Sequence, residues 1–246
     1  MSIVHTALNG ILDLLYPPVC LVCRKSLDSG CLCDDCLAEV EPMPEPRCLH
    51  CGGPGHAGLP QCRVCRAGEN PQFHGMSAIG AHSGPLRQAV LLLKYHQKAQ
   101  LAEPLGAALA EALLDASQAT PAYPAATLPV DLIAPVPLSP SRLRSRGYNQ
   151  AELLAHVVAR RLDVPLDAGL LLRTRQTPTQ TTLTHDRRAE NVKGAFAARN
   201  GGNVAGKTVL LIDDVITTAS TIRECARVLR EAGAKAVTIA SVTQEA

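Results

Sequence analysis

The chain contains no tryptophan, only two phenylalanines and only four tyrosines in 246 residues. A protein that grips single-stranded nucleic acid by stacking its bases needs aromatic faces, and this sequence offers few. Charge of one sign is also scarce. The formal net charge is +2, too small to draw a polyanion to the whole surface. No apolar run approaches the roughly 20 residues of a membrane-spanning helix. The first stretch, SIVHTALNGILDLLYPPVC, is apolar but lacks the basic start and small-residue cleavage site of a signal peptide. Val4, Leu8, Ile11, Leu12 and Leu15 make one helical stripe, which Pro17 and Pro18 stop. These features predict a short helix over residues 1–17 that packs on the body of a cytoplasmic protein.

Cysteine, by contrast, is abundant and clustered. Nine of the ten cysteines lie between residues 20 and 65. Eight of them form C-x-x-C knuckles: Cys20/Cys23, Cys33/Cys36, Cys48/Cys51 and Cys62/Cys65. A knuckle presents two thiolates to one tetrahedral ion, so two knuckles complete a zinc site. A disulfide framework is the rival, but it requires an oxidising compartment for which no secretion signal speaks. Segment 18–72 is poor in large apolar residues and needs a staple to fold. About two structural zinc ions are expected. Sequential pairing, interleaved pairing or one zinc with degenerate partners all satisfy the spacing, and His50 and His56 are available as substitute ligands. Cys31 is left over. Residues 1–75 have three more acidic than basic side chains and the remainder five more basic than acidic, so the cysteine-rich segment is poorly suited to bind a phosphate backbone alone.

Farther on, GGNVAGKTVLLIDDVITTAST (201–221) carries two phosphate-binding signatures. Gly201, Gly206, Lys207 and Thr208 spell a P-loop. A P-loop, however, leaves a strand and opens a helix, whereas here the glycines lead into the apolar run Val209–Ile212, which reads as a strand. Lys207 then belongs to a turn. The second signature has the order chemistry wants: a strand over Thr208–Ile212, the acids Asp213 and Asp214, the segment Thr217, Thr218, Ala219, Ser220 and Thr221, then a helix with Ile222, Cys225, Ala226 and Leu229 on one face. Ligands of parallel sheets bind at the carboxyl ends of strands. Hydroxyls and a helix N-terminus suit a phosphate, while two carboxylates suit a ribose diol, with magnesium bridging nearby oxygens. Cys225 on the helix reads as a small core residue.

The stretch VLLIDDVITTAST resembles the phosphoribosyl pyrophosphate motif of type I phosphoribosyltransferases. The resemblance implies Asp213 and Asp214 as ribose ligands and Thr217–Thr221 as the 5′-phosphate loop. Ala219 stands where that family usually has glycine, and alanine resists positive φ.

Between the cysteines and this motif, residues 77–116 read as two helical stretches, with Leu86, Val90, Leu93 and Leu101 as apolar positions and Lys94 and Lys98 beside them. A Pro/Ala/Thr linker precedes a strand at Val130–Val136. Arg142, Arg144 and Arg146 then crowd what reads as a Pro/Ser/Gly loop, and Asn149 is placed to cap a helix running to about Leu162. Arginine forks suit diphosphate oxygens. The polar stretch LRTRQTPTQTTLTHDRRAENVKGAF reads as a long mobile loop leading into a short helix.

Taken together, LKYHQK, PVPLSPSRLRSRGYNQAELLA, the Thr-rich loop and LLIDDVITTAST, behind four knuckles, resemble the ComF family. The resemblance covers most of residues 18–243. It implies an α/β fold: a type I phosphoribosyltransferase-like parallel sheet flanked by helices over residues 73–246, behind a zinc-ribbon module at 18–72. It implies Arg144 and Arg146 as candidates on the pyrophosphate loop, and Arg175, Gln180 and Arg187 on a mobile-loop motif. It also implies a role in natural competence and DNA utilisation inside the cell. Two functions follow. One is an enzyme that binds phosphoribosyl pyrophosphate with magnesium and transfers the phosphoribosyl group to an acceptor. The other is a non-catalytic adaptor that senses the same ligand or holds single-stranded DNA beside a partner such as a DNA-uptake helicase.

Overall fold

The structure is a computed structural model that describes residues 17–48, 52–67, 72–119, 129–175, 192–199, 204–217 and 219–245. The helix expected over 1–17 falls outside the described residues apart from Pro17, as do His50, Cys51, Gln180, Arg187 and Thr218. In chain order the elements are α1 (Asp34–Ala38), α2 (Arg63–Arg66), β1 (Met76–Ala81), α3 (Gly84–Tyr95), a 3-10 turn (Ala99–Leu101), α4 (Ala102–Ala119) and β2 (Leu132–Pro135). There follow α5 (Pro140–Arg146), α6 (Gln150–Leu162), β3 (Leu171–Arg173), β4 (Phe196–Ala198), β5 (Thr208–Ile216), α7 (Ser220–Glu231) and β6 (Ala236–Gln244). No helix of the described residues is long and apolar enough to cross a membrane.

Four strands form one sheet in the order β1-β6-β5-β2, every neighbouring pair parallel. A parallel sheet must bury both faces, and the alternation of side chains along β5 shows how. Val209 and Leu211 enter one core with Ile222, Cys225, Ala226 and Leu229 of α7. Leu210 and Ile212 enter the other, with Leu86, Val90 and Leu93 of α3, Leu105 and Leu109 of α4, and Leu154 and Val158 of α6. The α4–α6 contact is close because position 106 is glycine: a Cβ there would sit 2.6 Å from Cβ of Val157. The expected α/β architecture is present.

Both outer strands meet a further segment. Beyond β2, Ile133 N–H donates to Pro165 O at 2.8 Å and Asp167 N–H donates to Ile133 O at 3.0 Å. Beyond β1, Ala81 N–H donates to Glu41 O at 2.9 Å, so the cysteine-rich segment meets the end of that edge. Gly80 makes this approach possible, since a Cβ there would lie 2.6 Å from Glu41 O.

Three local readings of the sequence need correction. The region read as two helical stretches opens with strand β1, whose sequence MSAIGA carries little periodic signal and becomes a strand by pairing with β6. The arginine segment is helix α5, not a loop. Ser139 Oγ accepts from Arg142 N–H, Pro140 stands in the first turn, and Gly147 takes the left-handed conformation at the C-cap (φ 82°). Finally, β5 does not stop at Ile212. Pairing with β6 carries it through Asp213 and on to Ile216.

Candidate functional site

The two cysteine turns are copies of one another. In the first, Arg24 N–H donates to Cys20 O and Cys20 N–H to Lys25 O; in the second, Gly52 N–H donates to Cys48 O and Cys48 N–H to Gly53 O. Arg24 and Gly52, at matching places, both take positive φ, 68° and 70°. Cys33 Sγ then accepts from Cys36 N–H at the start of α1, and Cys62 stands at the matching N-cap position of α2. The sulfurs of Cys20, Cys23, Cys33 and Cys36 lie within 4.8 Å of one another, as do those of Cys48, Cys62 and Cys65. Cys20 and Cys36 are 3.8 Å apart, and Cys23 and Cys33 are 3.6 Å apart. A zinc–sulfur bond of about 2.3 Å in a tetrahedron requires sulfur–sulfur edges of about 3.8 Å. The donor set and its spacing therefore fit about two zinc ions, and the described cysteines are free thiols. Pairing is sequential, first knuckle with second and third with fourth. In the sequence, Cys51 of the third knuckle matches Cys23 of the first. Neither His56 nor Cys31 joins a cluster among the described residues.

The acids lie at the other end of the sheet. Pairing between β2 and β5 ends at Pro135 opposite Ile212, while β6 pairs on with Asp213, Val215 and Ile216. Departure of β2 opens a cleft of about 640 Å³, into which Asp213, Asp214, Thr217, Thr221, Arg142, Arg146 and Arg173 project. Helix α5 decides which arginines enter. Residues 142 and 146 share a helical face, whereas Arg144 lies on the exposed side and is not among the cleft-lining residues. Arg146 is held by Gln150, at 3.0 Å from its Oε1, and by the ring of Tyr95, 4.9 Å away. Asn149 caps α6 as expected, accepting from Ala151 N–H at 3.2 Å, and its amide also donates to Val136 O at 3.1 Å.

Several cleft residues were not selected from the sequence. Lys94, at the end of α3, pairs with Asp214 at 3.1 Å. His82 shares a hydrogen bond of 2.7 Å with Thr243 Oγ1; burial, and then the charges of Lys94 and Arg87, hold its pKa down. Arg173 enters because β3 pairs with β4, a hairpin that pins both ends of the Thr-rich stretch. Neither three-residue strand shows alternation long enough to read. Arg175, just beyond, is exposed and donates to Lys193 O at 3.0 Å. Just before β4, Gly194 N–H donates to Glu224 of α7 at 2.6 Å.

The two acids have different surroundings. Asp214 is buried and ion-paired. Asp213 is pushed up to about 8, by burial first and then by the negative charge of Asp214; Lys94 and the Asp214 N–H, which donates to its Oδ1 at 2.8 Å, act in the opposite sense. Cys225 is fully buried in the core, and that burial pushes its thiol well up. Lys207 sits in a turn leading into β5, where Gly206 takes φ 73°.

Ala219, the N-cap of α7, adopts φ 55°. The left-handed region costs a residue with a Cβ about 1 kcal/mol. Ala219→Gly is therefore expected to raise the melting temperature by roughly 2–4 °C, as measured by thermal denaturation at neutral pH.

Comparison with known proteins agrees with this architecture. The double zinc ribbon domain family matches residues 11–69, and the phosphoribosyl transferase domain family matches residues 149–245. Competence protein F of Haemophilus influenzae is 32% identical over 223 residues, 89% of this chain and 94% of that protein. The chain belongs to the ComF family. A second relative, DNA utilization protein YhgH of Escherichia coli K12, is 33% identical over 229 residues, covering 92% of this chain and 96% of its own. Competence protein ComFC of Bacillus subtilis is 34% identical over 112 residues, 46% of this chain and 43% of that one. The ComF assignment thus spans both the ribbon and the sheet.

Proposed function

We propose that the cleft binds phosphoribosyl pyrophosphate with magnesium. Asp213 and Asp214 accept hydrogen bonds from the ribose 2′ and 3′ hydroxyls. Thr217, Thr218, Ala219, Ser220 and Thr221 surround the 5′-phosphate at the start of α7. Arg142 and Arg146 hold the diphosphate. Arg175, with Gln180 and Arg187 of the same sequence motif, is a further candidate for contact with the ligand. The observation that carries the reading is convergence: the acid pair and two arginines of a separate strand–helix unit face one 640 Å³ cleft. Positioning and electrostatics suffice for phosphoribosyl transfer. The arginines neutralise the departing diphosphate while an acceptor attacks C1. By analogy with the names of its relatives, the protein acts in DNA utilisation or competence, inside the cell.

Calorimetry with phosphoribosyl pyrophosphate, with and without magnesium, tests the reading. Arg142→Ala and Arg146→Ala are each expected to weaken binding about tenfold, as loss of a charged hydrogen bond does, while Arg144→Ala leaves it within twofold. Equal effects at all three positions would remove the diphosphate assignment. The cationic lining by Arg142, Arg146 and Arg173 also favours a second reading, an adaptor that holds a single-stranded nucleic-acid end while the ribbons dock a DNA-processing partner. Binding of that kind weakens steeply with salt and does not require magnesium.

A further inference from the structure

The residue that most alters the chemistry of the cleft is Lys94. Its ammonium lies 3.1 Å from Asp214 Oδ1, and the two side chains are only 17% and 9% exposed. The end of α3 that carries it is fastened on both sides. Tyr148 Oη donates to Leu93 O at 2.6 Å, and the ring of Tyr95 lies under the Arg146 guanidinium. Lys94 is thus held between the acid pair and the arginine helix, with its charge turned into the cleft.

We propose that Lys94 is the resident counter-ion of the acid pair, occupying in the free protein the charge position that a divalent cation would otherwise take. The inference rests on reading the cleft as a phosphoribosyl pyrophosphate site, and it sets the order of events there. A free divalent ion approaching Asp213 and Asp214 meets an ammonium already paired with one of them and is repelled. A ligand that brings hydroxyls for the acids and phosphate oxygens for the ammonium gives Lys94 a new anionic partner as it separates from Asp214. Metal therefore enters as a complex with the polyanionic ligand and does not bind first.

Manganese titration of the zinc-loaded full chain, followed by the electron paramagnetic resonance of free Mn²⁺, reads this directly. Wild type is expected to bind no manganese at the cleft below millimolar concentration. Lys94→Gln is expected to gain a site at least tenfold tighter, and Lys94→Gln with Asp214→Asn to lose it again, which locates the ion. Lys94→Arg keeps the charge and is expected to stay silent, so a loss of folding in the glutamine variant does not shelter the proposal: an arginine variant that gains manganese overturns it. Tight manganese binding by wild type, or no gain in a folded Lys94→Gln, also overturns it. A purely structural lysine would produce no such gain. In a parallel arm, phosphoribosyl pyrophosphate with magnesium is expected to bind Lys94→Gln at least tenfold more weakly than wild type. Failure of every form to bind that compound defeats the ligand reading, while the manganese arm still decides the role of Lys94.

Discussion

Replacing both acids, Asp213→Asn with Asp214→Asn, is expected to weaken binding of phosphoribosyl pyrophosphate by a hundredfold or more. In the complex, where ligand and magnesium draw the proton off Asp213, each carboxylate would lose a charge-assisted hydrogen bond to a ribose hydroxyl, about 1.5–3 kcal/mol apiece, and about 2.7 kcal/mol is already a factor of a hundred. Titration at fixed magnesium measures it; binding equal to wild type would send the search for a ligand to the basic surfaces instead. The single variants separate the two acids by stability. Asp214→Asn takes from the largely buried Lys94 ammonium its paired carboxylate. Breaking a fully buried pair from one side costs about 3 kcal/mol, and this cleft-lining pair is expected to lose less, so the variant's melting temperature falls near neutral pH. Asp213→Asn acts in the opposite direction and depends on pH. The folded state holds a proton on Asp213 up to about 8, whereas the unfolded chain releases it near pH 4. Between those values the folded state binds more protons, so stability contributed by the protonated acid declines as pH rises. Asparagine removes that decline. The melting curves of wild type and Asp213→Asn should nearly coincide at pH 4–5 and diverge toward pH 8, with the variant higher.

Loss of the first metal site should be the larger structural effect. Cys33→Ser with Cys36→Ser is expected to reduce bound zinc from about two ions per chain to about one and to unfold the first ribbon. The buried core of that ribbon is Cys20, Cys33 and Cys36, with only Val22, Leu27 and Leu32 packed against them, so the ion replaces a hydrophobic interior. Structural zinc contributes about 10–16 kcal/mol of apparent binding free energy in ribbon-sized peptides, far more than six small side chains supply. Elemental analysis of protein purified without chelator counts the ions, and limited proteolysis between residues 17 and 48 reports the unfolding. Metal-free protein that resists the protease would overturn the assignment.

How much of this was legible in the sequence depended on how local the cause was. The strand before Asp213, the helix capped by Asn149 and the four knuckles each carry their signal within a few residues; the structure has the strand and the helix, and of the knuckles it gathers every described cysteine into two clusters. Strand β1 and the β3–β4 hairpin do not, because MSAIGA, LLR and FAA are strands only by virtue of distant partners. The choice between Arg142 and Arg144 turned on α5 being a helix, although Ser139, Pro140 and Gly147 mark its two ends in the sequence. Lys94 was the least accessible. Nothing near it points to Asp214, 120 positions away, and without it the two carboxylates read as equivalent and mutually repelling. Their inequivalence is a property of the fold alone.

The contact on β1 has a consequence for the whole chain. An outermost strand with unsatisfied amide and carbonyl groups is a template on which another molecule can add a strand, and here the segment that meets the end of that strand at Glu41 lies between the two cysteine clusters. Loss of metal from the ribbons is therefore expected to free this border as well as to unfold the knuckles. Chelator-treated protein should self-associate more readily than metal-loaded protein, with a ligand cleft that is still intact.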